Sequence, residues 1–292
     1  MILVSGTKRS GTSMWMQVMQ AAGIPILGKA FPRNWETGPL RDANPDGFYE
    51  SVLRNGIYYR TNPHPQTGKY FLPEHVDGYA VKVFVPGVVR SERAYIDLLV
   101  ANVREWREYE ASIQRLYALE KEGRDKAKAT AAEGAEVPPE PFNFPPAYEW
   151  WMENFALVRD ISLRRYDFEL QTYDQVLEDP EAIMTKVFER IGSGDVEAAV
   201  AAVKPENRTQ ADKLESDAVD SKLAKVFDDL YAAVAEGKGF GKTLLKTLND
   251  TNQALLGKLT ELQTKVAKSQ MERAAKMGKR SKPIEIEGLP NV

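Results

Sequence analysis

Residues 1–5 form a short apolar run that stops at Gly6, the pattern of a strand buried on both faces of a parallel sheet. From Thr12 to Ala22 the chain is rich in Met and Gln and free of Gly and Pro, which predicts a helix ending near Gly23-Ile24-Pro25. Residues 28–50 carry Pro, Gly, Asn and Asp in every short window and read as loop, closing on Asn44-Pro45-Asp46-Gly47. Tyr79–Val85 and Tyr95–Ala101 read as two further strands, and a helix from about Glu105 to Glu122 follows the second. Residues 123–147 turn from Ala/Lys/Glu-rich to Pro-rich, the composition of a flexible insertion with little core of its own. A helix over 148–164, a strand over 166–171 and a helix over 180–191 follow. The alternation predicts an α/β fold, a parallel sheet flanked by helices.

After Gly241 the period changes. Leu245, Leu248, Asn252, Leu255, Leu259, Leu262 and Val266 fall at alternating spacings of three and four, a heptad seam with one polar core position. The chain therefore divides into an α/β domain over 1–235 and a long carboxyl-terminal helix with a basic tail over 236–292. The seam serves either a homodimer or the helix's own domain. Residues 264–283 hold seven Lys and Arg against the single acid Glu272, which would face an acidic partner, an anionic acceptor or only water.

Charge and composition narrow the classes. The chain has 292 residues, with 39 Lys and Arg against 42 Asp and Glu, and 43% hydrophobic residues. Cysteine is absent and there are two histidines, so thiol chemistry and a three-histidine metal site are excluded. No apolar run approaches the ~20 residues that cross a bilayer, and the opening residues lack a charged secretion-signal region. The reading is a cytoplasmic protein with no transmembrane segment, and with no general nucleic-acid footprint because the basic excess is confined to the tail.

Between the first strand and the first helix lies Gly6-Thr7-Lys8-Arg9-Ser10-Gly11-Thr12-Ser13. A helix amino terminus offers unpaired N–H groups and the positive end of its dipole, so a loop curled onto it suits phosphate or sulfate. The glycines permit the curl, Ser10, Thr12 and Ser13 carry hydroxyls, and Lys8 and Arg9 add charge. The spacing approaches the ATP/GTP loop G-x-x-x-x-G-K-[ST], but Thr12 stands where its Lys belongs. That Lys reaches the β/γ-phosphates of a triphosphate, so its absence weakens a kinase or ATPase reading.

Lys8-Arg9-Ser10-Gly11-Thr12-Ser13-Met14-Trp15 resembles the 5′-phosphosulfate loop of the sulfotransferase family, with Lys8 in place of that family's proline. The resemblance covers about residues 1–210. It implies a P-loop NTPase-like sulfotransferase fold, 3′-phosphoadenosine 5′-phosphosulfate (PAPS) as donor and the bisphosphate PAP as product, with no metal required. It gives Arg9 the leaving-group charge, and the amides of residues 10–13 the 5′-phosphate. The family's 3′-phosphate motif, a strand-end Arg with a Ser eight residues on, falls on Arg104 and Ser112. Asn44–Glu50 and the stretch from Tyr173 to Glu181 resemble further family segments.

The family's base is often a His in Lys-x-His-x-Pro. Here Lys82-Val83-Phe84-Val85-Pro86 puts Phe84 in its place, so another group must take the acceptor's proton. Glu50 is the candidate, with His64 and His75 as alternatives, and Lys82 can approach the donor from its strand. Arg208 is a candidate nucleotide contact from a late loop. Trp15, Trp35, Tyr58, Tyr59, Trp150 and Trp151 divide between the core and the ligand site. The acceptor, a small molecule or a carbohydrate or lipid, is not named by the sequence. Two other classes stay open: a P-loop small-molecule kinase and a non-catalytic nucleotide-binding scaffold.

Overall fold

In the computed structural model, which describes residues 1–32, 41, 44–129, 140–208, 213–214 and 216–277, the opening apolar run is strand β1 (Ile2–Gly6), wholly buried. It is followed by β2 (Ile26–Leu27), β3 (Ala80–Lys82), β4 (Leu98–Val103) and β5 (Asp167–Thr172). Their order across the sheet is β2-β3-β1-β4-β5, and every neighbouring pair is parallel. The chain leaves β1 for the β2–β3 side and then crosses to β4 and β5. Where an open parallel sheet reverses direction in this way, a crevice opens at the carboxyl ends of its strands, here beside the end of β1.

The helices, among the described residues, are α1 (Thr12–Ala21), α2 (Val85–Arg90), α3 (Trp106–Ala129), α4 (Pro146–Arg164), α5 (Tyr173–Glu178), α6 (Pro180–Ile191), α7 (Val196–Ala201), α8 (Ser221–Glu236) and α9 (Lys242–Met277). Strand alternation sorts the core. Leu3, Val81, Leu99 and Ala101 face α2 and α4, while Ile2, Val4 and Val100 face α1, α6 and α7. A third cluster joins α3, α4, α8 and α9 around Phe227, whose ring lies 5.6, 5.1 and 5.3 Å from those of Trp106, Trp150 and Trp151. Each such aromatic pair contributes roughly 0.5–1.5 kcal/mol beyond its buried area.

Several expectations shift. The strand expected over 79–85 stops at Lys82, because Pro86 sits at the start of α2, where its missing N–H and fixed φ suit a helix. The next strand begins at Leu98 rather than Tyr95, so Arg104 is the first residue beyond it. The helix expected to end at Glu122 runs on to Ala129, since Ala, Lys, Glu and Arg are strong helix formers. Residues 123–129 of the expected insertion are thus helical, and residues 130–139 lie outside the described residues. The seam on α9 buries Leu248, Leu259 and Leu262 against this chain's own third cluster, so the helix packs on the domain that precedes it. Among the described residues, no helix is long and apolar enough to cross a membrane.

Candidate functional site

The crevice is floored by the loop between β1 and α1. Gly6 has φ 144° and pairs in register with Asn102; a Cβ there would lie 2.5 Å from the Asn102 carbonyl oxygen and 2.3 Å from Ser10 Oγ. Gly11 has φ 93°, and a Cβ would meet the Tyr173 ring at 2.8 Å. Only glycine fits either position. Between them Arg9 takes φ 65°, a left-handed conformation uncommon for a non-glycine residue, which turns the chain sharply into α1. Ser10 closes that turn, its N–H at 3.2 Å and its hydroxyl at 2.7 Å both donating to the Thr7 carbonyl. The Ser10 hydroxyl therefore belongs to the loop's interior, not to a ligand; Thr12 and Ser13 reach the cavity instead.

That cavity has a volume of about 410 Å³. The side chains of Lys8, Arg9, Arg104 and Arg208 line its loop end. Arg104 donates to the Arg9 carbonyl at 3.0 Å, and Arg9 Nε donates to Ser112 Oγ at 3.3 Å. Ser112 is buried behind Arg9 and does not itself line the cavity. Carboxylates stand behind the cations. Lys8 pairs with Glu149 at 2.9 Å, and Arg208 with Glu108 at 2.5 Å and Asp174 at 2.8 Å. Lys204 and Asn207 both donate to Asp46, at 3.1 and 2.8 Å, tying the 204–208 turn to the 44–49 loop across the mouth.

Burial holds the Arg9 guanidinium below its usual range, and the charge of Arg104 adds to the effect. Burial lowers Arg104 likewise, opposed by Tyr173 and Glu108. Both remain cations, since an arginine does not deprotonate in a protein. Burial alone would pull Lys8 down, but Glu149 and Glu153 outweigh it and raise the ammonium above its ordinary value. Desolvated positive charge at a helix start is an arrangement that an anion stabilises.

At the far end, Glu50 is buried between two cations. Lys82 Nζ lies 3.5 Å from one carboxylate oxygen, and Arg54 donates to the other. Lys82, delivered by the end of β3, also donates to Ser13 Oγ at 3.1 Å and to the Phe48 carbonyl at 2.9 Å. Burial pulls its ammonium down; Glu50 opposes this, and Arg9 and Arg54 reinforce it. Phe84 lines this wall, its ring 5.8 Å from the Arg54 guanidinium and 5.9 Å from Lys82 Nζ. The arrangement can hold an anion at the loop and keep a carboxylate and an ammonium side by side opposite it.

The site thus draws together Lys8, Arg9, Gly11, Thr12, Ser13, Glu50, Arg104 and Arg208, with Ser112 one bond behind. It does not include the histidines. His64 is buried, its Nδ1 accepting from the Gln66 and Thr67 amides, and His75 Nδ1 accepts from the Leu72 amide; neither lines the cavity. Trp15, Trp150 and Trp151 are core, Tyr58 and Tyr59 lie away from the cavity, and Trp35 falls outside the described residues. The sequence reading marks the segments of Tyr173 and Asp46 but gives neither residue a role: Tyr173, opening the helix after the last strand, packs on Gly11, and Asp46, the acid of the Asn-Pro-Asp-Gly turn, anchors the turn over the mouth. No known family model matches the chain, and no curated protein matches it.

Proposed function

We propose that the chain is a PAPS-dependent sulfotransferase built on a P-loop-like fold. One observation carries the reading: the residues of two separately recognised motifs meet, Arg104 bonding the Arg9 carbonyl and Ser112 bonding the Arg9 side chain. The donor set suits an adenylate bearing phosphates at two ends, with helix-start amides and Arg9 for the 5′ end and Arg104 for the 3′-phosphate. The donor supplies an activated sulfuryl group. The acceptor oxygen or nitrogen bonds to sulfur as the bond from sulfur to the bridging oxygen breaks, and PAP departs with that electron pair. Arg9 stabilises the charge it carries away, Glu50 takes the acceptor's proton, and Lys82 sets Glu50 and Ser13 in place. The acceptor is a small hydroxyl or amine compound, or the exposed group of a carbohydrate or lipid.

A second reading, a phosphotransferase, is favoured by Lys82. Its ammonium reaches Ser13 from β3 and restores, from another strand, the cation missing after Gly11. Calorimetric titration with PAP, ATP and GTP, with and without magnesium, separates the two. Tight binding of PAP alone, without magnesium, is the expected result. Preference for a magnesium-bound triphosphate overturns the sulfotransferase reading.

A further inference from the structure

Beneath the loop lies a buried polar group that the chemistry above leaves unused. Asn102, on β4, has no solvent exposure, and its side chain meets three different elements. Its Oδ1 accepts from Trp15 Nε1 of α1 at 2.8 Å and from Gln171 Nε2 of β5 at 2.7 Å, while Nδ2 donates to the Ser10 carbonyl at 3.2 Å. An indole N–H is a donor only, so Oδ1 must face Trp15, and the amide then has one orientation, with its N–H directed at Ser10. The peptide joining Ser10 to Gly11 is planar and trans, so a carbonyl tied inward sends the Gly11 N–H the opposite way. Gly11 lines the cavity.

We propose that Asn102 is the positioning residue that sets the anion cradle, aiming the Gly11 amide at the ligand by holding the Ser10 carbonyl down. It touches no ligand itself. The inference rests on the sulfotransferase reading for the identity of the anion, but the loop geometry it concerns exists without one.

The decisive variant is Asn102→Asp. As a neutral acid it keeps an acceptor for Trp15 and Gln171 and an O–H for Ser10; ionised, it sets a carboxylate against a carbonyl. Burial raises such a carboxyl into the range of about pH 5–8. Relative to wild type at each pH, its affinity for PAP falls about tenfold or more near pH 8 and recovers toward wild type near pH 5.5. Asn102→Leu binds weakly at both. A purely structural role would shift unfolding without a pH-dependent affinity ratio, so a flat ratio, or wild-type affinity in Asn102→Leu, overturns the proposal. Should neither variant fold, Trp15→Phe removes the group that orients the amide; a loss of about threefold or more in PAP affinity is expected, and unchanged affinity refutes it. If the wild-type protein does not bind PAP, the donor reading fails by itself. The positioning claim is then decided by hydrogen exchange at the amides of residues 10–13, which Asn102→Leu accelerates if the claim is right and leaves unaltered if it is wrong.

Discussion

Lys8 leans on a buried acidic pair, and the titration of one member, Glu153, is measurable. Glu149 and Glu153 lie one turn apart on α4, each 8% exposed; Glu149 accepts from Lys8 at 2.9 Å and from the Tyr109 hydroxyl at 3.0 Å. Burial, followed by the charge of Glu149 and opposed by Lys8, pushes Glu153 up to about 8 from an ordinary 4.5. Between those values the unfolded chain ionises Glu153 while the folded protein keeps its proton. The folded state then binds more protons at this group, so the stability that Glu153 contributes falls as pH rises from about 4.5 and levels off above about 8. A gap of about 3.5 pH units at ~1.4 kcal/mol each sets a ceiling on the order of 5 kcal/mol. Glu153→Gln removes the ionisation and keeps the shape. Urea denaturation of both proteins at several pH values between about 5 and 8 checks it. The stability difference is expected to be small at the acid end and to grow to a few kcal/mol in favour of the variant at pH 8. Parallel pH profiles, with a constant difference, would refute the reasoning.

Other outcomes follow from the site and the packing. On the proposed sulfotransferase reading, Arg9→Ala should lower the rate of sulfuryl transfer by about 100-fold or more, read with labelled donor, because a preorganised charge at the leaving group is lost. On the same reading, Arg104→Ala should chiefly weaken PAP binding, by about 10- to 100-fold in calorimetry, the worth of one or two charge-assisted bonds. Gly11→Ala combines a left-handed φ of 93° with a 2.8 Å contact on Tyr173, and should cost about 1–3 kcal/mol in chemical denaturation together with the anion site. Leu248→Ala should cost about 2–4 kcal/mol in the same assay, because this side chain of the seam is 1% exposed within the third cluster. A seam given over to another copy of the chain would make that cost depend on protein concentration.

What was legible in the sequence was what chain-local patterns encode. A fully apolar run ending in Gly announced β1, and the Gly6 and Gly11 spacing announced a curled loop that only glycine can make. Pro180 and Asp179 marked the start of α6, where the Asp179 side chain accepts from the Ala182 amide. The two-residue β2 escaped because so short a strand has no period. The apolar pattern starts β4 three residues early because Tyr95 and Ile96 are apolar for another reason: they end a 3-10 turn and pack in the core rather than within the sheet. The loop residues and Arg104, singled out by resemblance, do line one cavity, whereas Ser112, expected beside a 3′-phosphate, is buried behind Arg9 and does not line it. The site was not legible where tertiary packing chose the partner. Nothing near Asn102 signals that it lies under the loop, and nothing near His64 signals that both of its hydrogen bonds stay within its own turn.

The distribution of carboxylates bears on how the cavity would meet an anion. Arg104 and Arg208 share Glu108, a carboxylate 3% exposed, with Arg104 Nε at 3.5 Å and Arg208 Nη2 at 2.5 Å. Two guanidinium groups converging at one end of a cavity would repel and turn toward water without such a partner, and leaving either buried and unpaired would cost several kcal/mol. Glu108 and Asp174 therefore hold the arginines in place before any anion arrives, as Asp46 holds Lys204 and Asn207 over the mouth. The cost of arranging the cations is met in folding rather than at binding, which favours affinity through preorganisation. The same arrangement argues against Arg208 as an interchangeable surface charge. Its removal would leave Glu108 facing Arg104 alone and shift the very guanidinium that bonds the Arg9 carbonyl, so a change on the late turn propagates into the loop without touching it.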